Sequence, residues 1–189
     1  MAHKEQIEYV NSVKTKFPEY FNKKKVLGIG TFNVCGTEDV FFNNCDYQGL
    51  DIGEGKGVDI VCPAQDFDAP NNTYDVIISC ECFEHNPFYK ETIQNAVRML
   101  KTKGLFLFTC ATTGRAVHGT KNSDEKDKIK HKNWITMPNV FREDWDNDYY
   151  KNLTEYDIRK AIDIDSNFSN YEFSIEHKHH DLYFFGFKK

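Results

Sequence analysis

The sequence predicts a doubly wound α/β fold: a mostly parallel seven-stranded sheet between two helical layers, with an antiparallel C-terminal hairpin. Three observations carry this. Short apolar runs recur along the first 111 residues and are too continuous for strands with one wet face. Between the last two of them, Ile93, Ala96, Val97 and Leu100 repeat at helical spacing. The chain then closes with two strand-like runs, "YEFSIEH" and "DLYFFGF", around a tight polar turn.

Taken in order, Ile7, Val10, Val13 and Phe17 mark an amphipathic helix over 3–17, stopped by Pro18. Buried strands are expected over 25–30, 47–52, 58–62 and 74–80. A helix over about 88–101 follows, closed by Lys101, Lys103 and Gly104, before a fifth strand, "LFLFTCA", at 105–111. Thr154 and Asp157 form an N-cap pair for a helix reaching about 165, and the hairpin strands span 171–177 and 181–187. One domain covers 1–189: an N-terminal helix within 1–23, a ligand-binding core over 24–111, a loop or lid over 112–150, and a C-terminal helix and hairpin over 151–189. The lid is expected because a polar, aromatic-bearing segment of this length is functional more often than idle.

A chain of 189 residues with 40% hydrophobic content can bury one good core. The longest uncharged apolar stretch, 104–114, is far shorter than the roughly 20 residues of a spanning helix. The N-terminus has acids and no apolar signal core, so a soluble cytoplasmic protein without a membrane partner is expected. A net charge of −5 gives no overall field for nucleic acid. The six cysteines form no C-x-x-C pair, and reduced structural thiols with no metal are expected. Oligomeric state is not readable.

The run "VLGIGTFNVCG" (26–36) breaks from a strand into glycines, and Asp51 stands 21 residues after Gly30 at the end of the second strand. This meets part of a dinucleotide fingerprint, but Asn33 occupies the third glycine position and only a short helix fits between Gly36 and Asp46. A pyrophosphate, which needs a helix N-terminus, is disfavoured. An adenosine without pyrophosphate, its ribose diol held by the Asp51 carboxylate, fits better and describes S-adenosylmethionine.

The ordered set "VLGIGTFNVCG", "YQGLDIGEGKGVDIV", "AQDF", "YDVIISCECFEHNP" and "RMLKTKGLFLFTCATTG" resembles the class I S-adenosylmethionine-dependent methyltransferases of the type-11 methyltransferase-domain group. The similarity spans about 24–114 and implies a Rossmann-like sheet whose last strand is antiparallel. It places Gly30, Thr31, Phe32, Asn33 and Gly36 around the methionine part, Asp51 on the ribose, and Ile52 against the adenine. Gln65 and Asp66 fall at the adenine edge, Cys80 and Glu81 beside the cofactor. S-adenosylhomocysteine is the implied product. The family usually has an acid where this chain has Gly28, with Glu81 a neighbouring acid able to take over, and often a glycine where it has Phe32. Phe32 is either a cation–π partner of the sulfonium or an ordinary core aromatic.

Methyl transfer from a sulfonium is an in-line displacement that needs alignment and dryness, with a base only when the acceptor carries a proton. In "FEHNP" the resemblance places the Glu84-His85 pair at the mouth of the site. His85 is the first candidate base, because imidazole titrates near neutrality, and a brace for the loop before Pro87 is its alternative. Glu84 is an expected hydrogen-bond partner on the acceptor side. The loop "ATTGRAVHG" (111–119) brings Arg115, a candidate for an anionic or hydroxyl-rich acceptor or else a surface ion pair, and His118, a second candidate base. Residues 119–132 read as a charged flap, and Trp134, Met137, Phe141, Trp145, Tyr149 and Tyr150 as a lid. His177, His179 and His180 sit at the hairpin turn, where exposed imidazoles need no ion. The function expected is methyl transfer to a small-molecule or sugar-like acceptor, with a cofactor-binding non-catalytic protein and a nicotinamide-dependent enzyme as the alternatives.

Overall fold

The computed structural model describes residues 3–33, 36–120, 123 and 149–189. The first helix, α1 (Lys4–Lys16), is followed by a 3-10 turn at Pro18–Phe21 and strand β1 (Lys25–Ile29). A second 3-10 turn, Glu38–Phe41, leads to β2 (Asp46–Asp51) and the two-residue β3 (Ile60–Val61). Strand β4 (Tyr74–Cys80) passes through a turn at Phe83–His85 into α2 (Tyr89–Met99) and β5 (Leu100–Ala111). The C-terminal part holds α3 (Glu155–Ala161), the one-turn α4 (Ile164–Asn167), β6 (Phe168–Glu176) and β7 (Asp181–Lys188).

The seven strands form one sheet in the order β3-β2-β1-β4-β5-β7-β6. The first five are parallel, and β7 runs antiparallel to both β5 and β6. Both faces are apolar, which is why the strands read as unbroken hydrophobic runs. Val26, Val76, Ile78, Leu105, Leu107, Phe185 and Phe187 point to the α1 side, where Val10, Val13, Phe21 and Phe41 cover them. Their alternating neighbours, among them Leu27, Ile77, Phe106, Phe108 and Phe184, meet Ile93, Ala96 and Val97 of α2 and Ile158 of α3 on the other side.

Several boundaries differ from expectation: the buried strand expected over 58–62 is only the two-residue β3, an edge strand with Ile60 partly buried and Val61 exposed. Helix α2 stops at Met99 because Leu100 turns extended and pairs with Tyr74, so Lys101, Lys103 and Gly104 lie in β5 and do not cap the helix. The expected helix to 165 divides: α3 starts on the Thr154–Asp157 capping box and ends at Ala161, Ile162 is extended, and Asp163 caps α4 through the Ser166 amide. Strand β6 begins at Phe168, where long-range pairing to Lys188 overrides the local polar sequence. Among the described residues no helix is long and apolar enough to cross a membrane.

Candidate active site

The carboxyl ends of β1, β2, β4 and β5 lie at one edge of the sheet, where parallel α/β folds bind ligands. After β1 the chain turns at Gly30, with φ +78°. A Cβ there would stand 2.5 Å from both Cβ and Sγ of Cys82, so only glycine lets this loop cross the exit of β4. The amides of Gly30 and Thr31 both donate to the Leu50 carbonyl, at 2.8 and 3.3 Å. Asn33 donates its amide to Lys56 O and accepts from the Gly36 amide through Oδ1, each at 2.9 Å. Thr31 is buried, and its Oγ1 has no partner among the described residues. Phe32 packs on Gly55, where an added Cβ would lie 2.1 Å from ring atom Cε2.

Asp51 ends β2 half-buried beside this loop. Its Oδ2 accepts the Phe32 amide and its Oδ1 the Gly53 amide, both at 3.0 Å. Burial raises its carboxyl above the usual range, and the amides oppose that shift. Each oxygen keeps further acceptor capacity. Ile52, partly buried, follows directly. Gln65 accepts from Thr92 Oγ1 at 3.3 Å, and its Nε2 is buried without a partner among the described residues. Asp66 is exposed.

The structure explains why Gly28 tolerates no acid. A Cβ at Gly28 would lie 2.1 Å from the Tyr47 hydroxyl and 2.6 Å from Thr31 Cγ2. Tyr47 donates that hydroxyl to Glu38 Oε2 at 3.4 Å. Glu38 is fully buried, and burial pushes its carboxyl up to about 7. This contact was not legible from sequence, where the signal was two acids, Glu38 and Asp39, in "TEDVFF".

At the exit of β4, Cys80 turns into the apolar layer on the α1 side, while Cys82 lies against Gly30. Glu81 has a left-handed backbone, φ +54°, which marks strain at this junction. Its Oε1 accepts from Thr109 Oγ1 at 3.0 Å, its Oε2 is buried without a partner among the described residues, and burial together with nearby Glu84 holds its carboxyl well above the usual range. Glu84 is fully buried, and neither oxygen has a partner of hydrogen-bond geometry among the described residues. Its own amide and that of Ala111 lie near enough to favour the ionised form, but burial dominates and raises the carboxyl.

His85 and His118, 33 positions apart, come together with ring centroids 5.1 Å apart and planes at 88°. Tyr150 packs edge-on against both, at 5.2 and 5.1 Å, and its hydroxyl donates to Ala116 O at 3.3 Å. Arg115 Nη1 donates to His179 O at 2.8 Å and stands 3.7 Å from Asp181 Oδ1, with its guanidinium near enough to act on Glu81 and Glu84 as well. His3 Nε2 is 2.7 Å from Asp181 Oδ2, and His179, stacked on His3, pairs with Glu5 at 3.2 Å. Trp134, Met137, Phe141, Trp145 and nearly all of the charged flap lie outside the described residues, so the expected lid is represented only by its last members, Tyr149 and Tyr150. A separate groove of about 560 Å³, lined by Thr112, Thr154, Phe173, His177 and His180 among others, contains none of the site residues.

A glycine turn tied to β2, a carboxylate at the end of β2 and a 3-2-1-4-5-7-6 sheet define the methyltransferase class of α/β protein. The chain belongs to the methyltransferase-domain family, whose model matches residues 1–148. Among solved structures it is similar to phosphoethanolamine N-methyltransferase 2 from Haemonchus contortus, solved with S-adenosyl-L-methionine. That likeness has TM-score 0.61 and 13% identity, over 94% of this chain and 51% of that one, so the chain spans about half the length of that enzyme. The 1,6-didemethyltoxoflavin-N1-methyltransferase of Burkholderia thailandensis matches at TM-score 0.58 and 13% identity over 100% and 92% of the two chains. The PH0226 protein of Pyrococcus horikoshii OT3 matches at 0.61 and 16% over 98% and 91%. No curated protein matches.

Proposed function

We propose that the protein transfers a methyl group from S-adenosylmethionine to a small-molecule acceptor, with S-adenosylhomocysteine as the product. The observation that carries this is Asp51: a half-buried carboxylate at the end of β2, fixed by the Phe32 and Gly53 amides and still able to accept a ribose diol. The residues present suit the cofactor. Gly30 leaves no side chain between the loop and the β4 exit, and the unpartnered Gln65 Nε2 offers a donor where an adenine edge would lie. Bound S-adenosylmethionine supplies an electrophilic methyl on sulfur. The chain's own residues hold it through Gly30, Thr31, Phe32, Asn33, Gly36 and Asp51, with Ile52, Gln65 and Asp66 on the adenine side and Glu81 at the β4 exit.

On the acceptor side, His85, His118 and Tyr150 form a ring cluster above buried Glu84, able to orient an acceptor hydroxyl or amine and to hold a proton. Tyr47, hydrogen-bonded to Glu38, fills the space beside Gly28 where the family carries an acid, and Glu81 is the neighbouring acid able to take over that role. A nicotinamide reading fits worse: the glycine loop leads into a short 3-10 turn in place of a helix N-terminus, with exposed Asp39 in its first turn. The test is incubation with S-adenosylmethionine and a panel of small hydroxyl and amine acceptors. S-adenosylhomocysteine release that depends on one acceptor class supports the reading; cofactor binding with no release across the panel favours a non-catalytic binder.

Glu38 also gives a pH signature. Its folded carboxyl titrates near 7 against 4.5 when unfolded, so the folded state binds more protons between those values and stability falls as pH rises through that window. The size is on the order of 3 kcal/mol. Tyr47 and Cys80 face it, and their burial keeps both uncharged across that range. Glu38→Gln is expected to flatten the slope of melting temperature against pH between about 4.5 and 7. A slope identical to that of the unmodified protein would show that Glu38 ionises freely.

A further inference from the structure

The acceptor side holds buried carboxyl groups whose hydrogen bonding is incomplete. Three carboxyl groups, Glu81, Glu84 and Asp181, gather at the ends of β4 and β5 and the start of β7, with donor atoms of Glu81, Asp181 and His3 within 4.8 Å of one another. Arg115 and His3 pair with Asp181, and the Arg115 guanidinium is also near enough to act on Glu81 and Glu84. Both oxygens of fully buried Glu84, and Oε2 of Glu81, have no partner among the described residues. Ionised, a buried carboxylate in this state costs several kcal/mol, so it stays protonated unless a cation meets it.

The donors around Glu84 suit a metal. One donor atom each from Glu84, His85 and His118 lie within 4.8 Å of one another. Donors about 2.1 Å from an ion sit roughly 3 Å apart, so the set closes on an ion with a modest turn of the His118 loop. His118 Nδ1 is 3.1 Å from Ala116 O, and a neutral imidazole that donates to this carbonyl carries its lone pair on Nε2. Two imidazoles and one carboxylate on one side of an ion leave open positions on the other.

We propose that Glu84, His85 and His118 bind a divalent metal ion, of the class that takes mixed imidazole and carboxylate donors, and that its open positions face the acceptor. The second half, that the ion holds an acceptor oxygen for methylation, rests on the methyltransferase reading; metal binding itself does not. The sequence reading assigned no metal, because the donors come from two loops and no spacing rule joins them. With the ion bound, both imidazoles are ligands and His85 is no longer the base.

The test is calorimetric titration of the chelator-treated full chain with Mn²⁺ and, separately, Zn²⁺. One ion per chain with micromolar affinity is expected, weakened at least roughly tenfold in Glu84→Gln and in His118→Ala. His118 lies on a partly exposed loop, so that variant keeps the test decisive if Glu84→Gln fails to fold. No saturable binding of either metal up to about 1 mM, or unchanged affinity in His118→Ala, overturns the site. Titration of the same metal-free protein with S-adenosylmethionine reads the cofactor site separately, so failure of one claim is not mistaken for failure of the other.

Discussion

Replacing Asp51 with alanine is expected to lower affinity for S-adenosylmethionine at least about 100-fold, because two charge-assisted hydrogen bonds to a ribose diol are worth roughly 1.5–3 kcal/mol each. The loss has a second source. Asp51 accepts the Phe32 and Gly53 amides, so its removal also frees the glycine loop from the end of β2. Asp51→Asn keeps one acceptor oxygen without the charge and is expected to fall between the two, near tenfold. Calorimetry gives the affinities and thermal unfolding shows that the fold persists. An unchanged affinity in Asp51→Ala would remove this residue from the site.

The second large effect concerns Gly28. Restoring the family's acid with Gly28→Asp is expected to destabilise the protein by about 3 kcal/mol or more, since it combines overpacking with a buried charge. The clash is specific: the new Cβ meets the Tyr47 hydroxyl at 2.1 Å and its Cζ at 2.8 Å, next to the Glu38 carboxylate. In a chain of this size the melting temperature should drop by roughly 6–12 °C. Adding Tyr47→Ala opens the space and should recover part of that loss, giving a coupling between the two sites. A Gly28→Asp protein as stable as the unmodified one would show that Tyr47 does not fill that position.

What was legible in the sequence follows from the range of the forces involved. Strands buried on both faces declare themselves as apolar runs, so β1, β2 and β4 were placed within a residue, and the capping box at Thr154 fixed the start of α3. Boundaries decided by partners were not legible: Leu100 enters β5 because Tyr74 pairs with it, and Phe168 enters β6 because Lys188 does. The same division holds in the candidate site. Gly30 and Asp51 keep a local signature, a turn after a strand and an acid at a strand end. The Gly28–Tyr47–Glu38 contact and the meeting of His85 with His118 depend on the folded sheet, and no spacing in the chain announces them. Arg115 meets His179 and Asp181 only because the hairpin folds back beside the loop after β5, so those partners were not legible either.

The central claim is that the loop from Gly30 to Gly36 and Asp51 form a site for S-adenosylmethionine. Its most direct test is calorimetric titration of the unmodified full chain with S-adenosylmethionine, S-adenosylhomocysteine and NADH in separate experiments. Saturable one-to-one binding of the two sulfur compounds at micromolar concentrations, with none for NADH, is the result predicted. Tight NADH binding, or no binding of either sulfur compound, would contradict it.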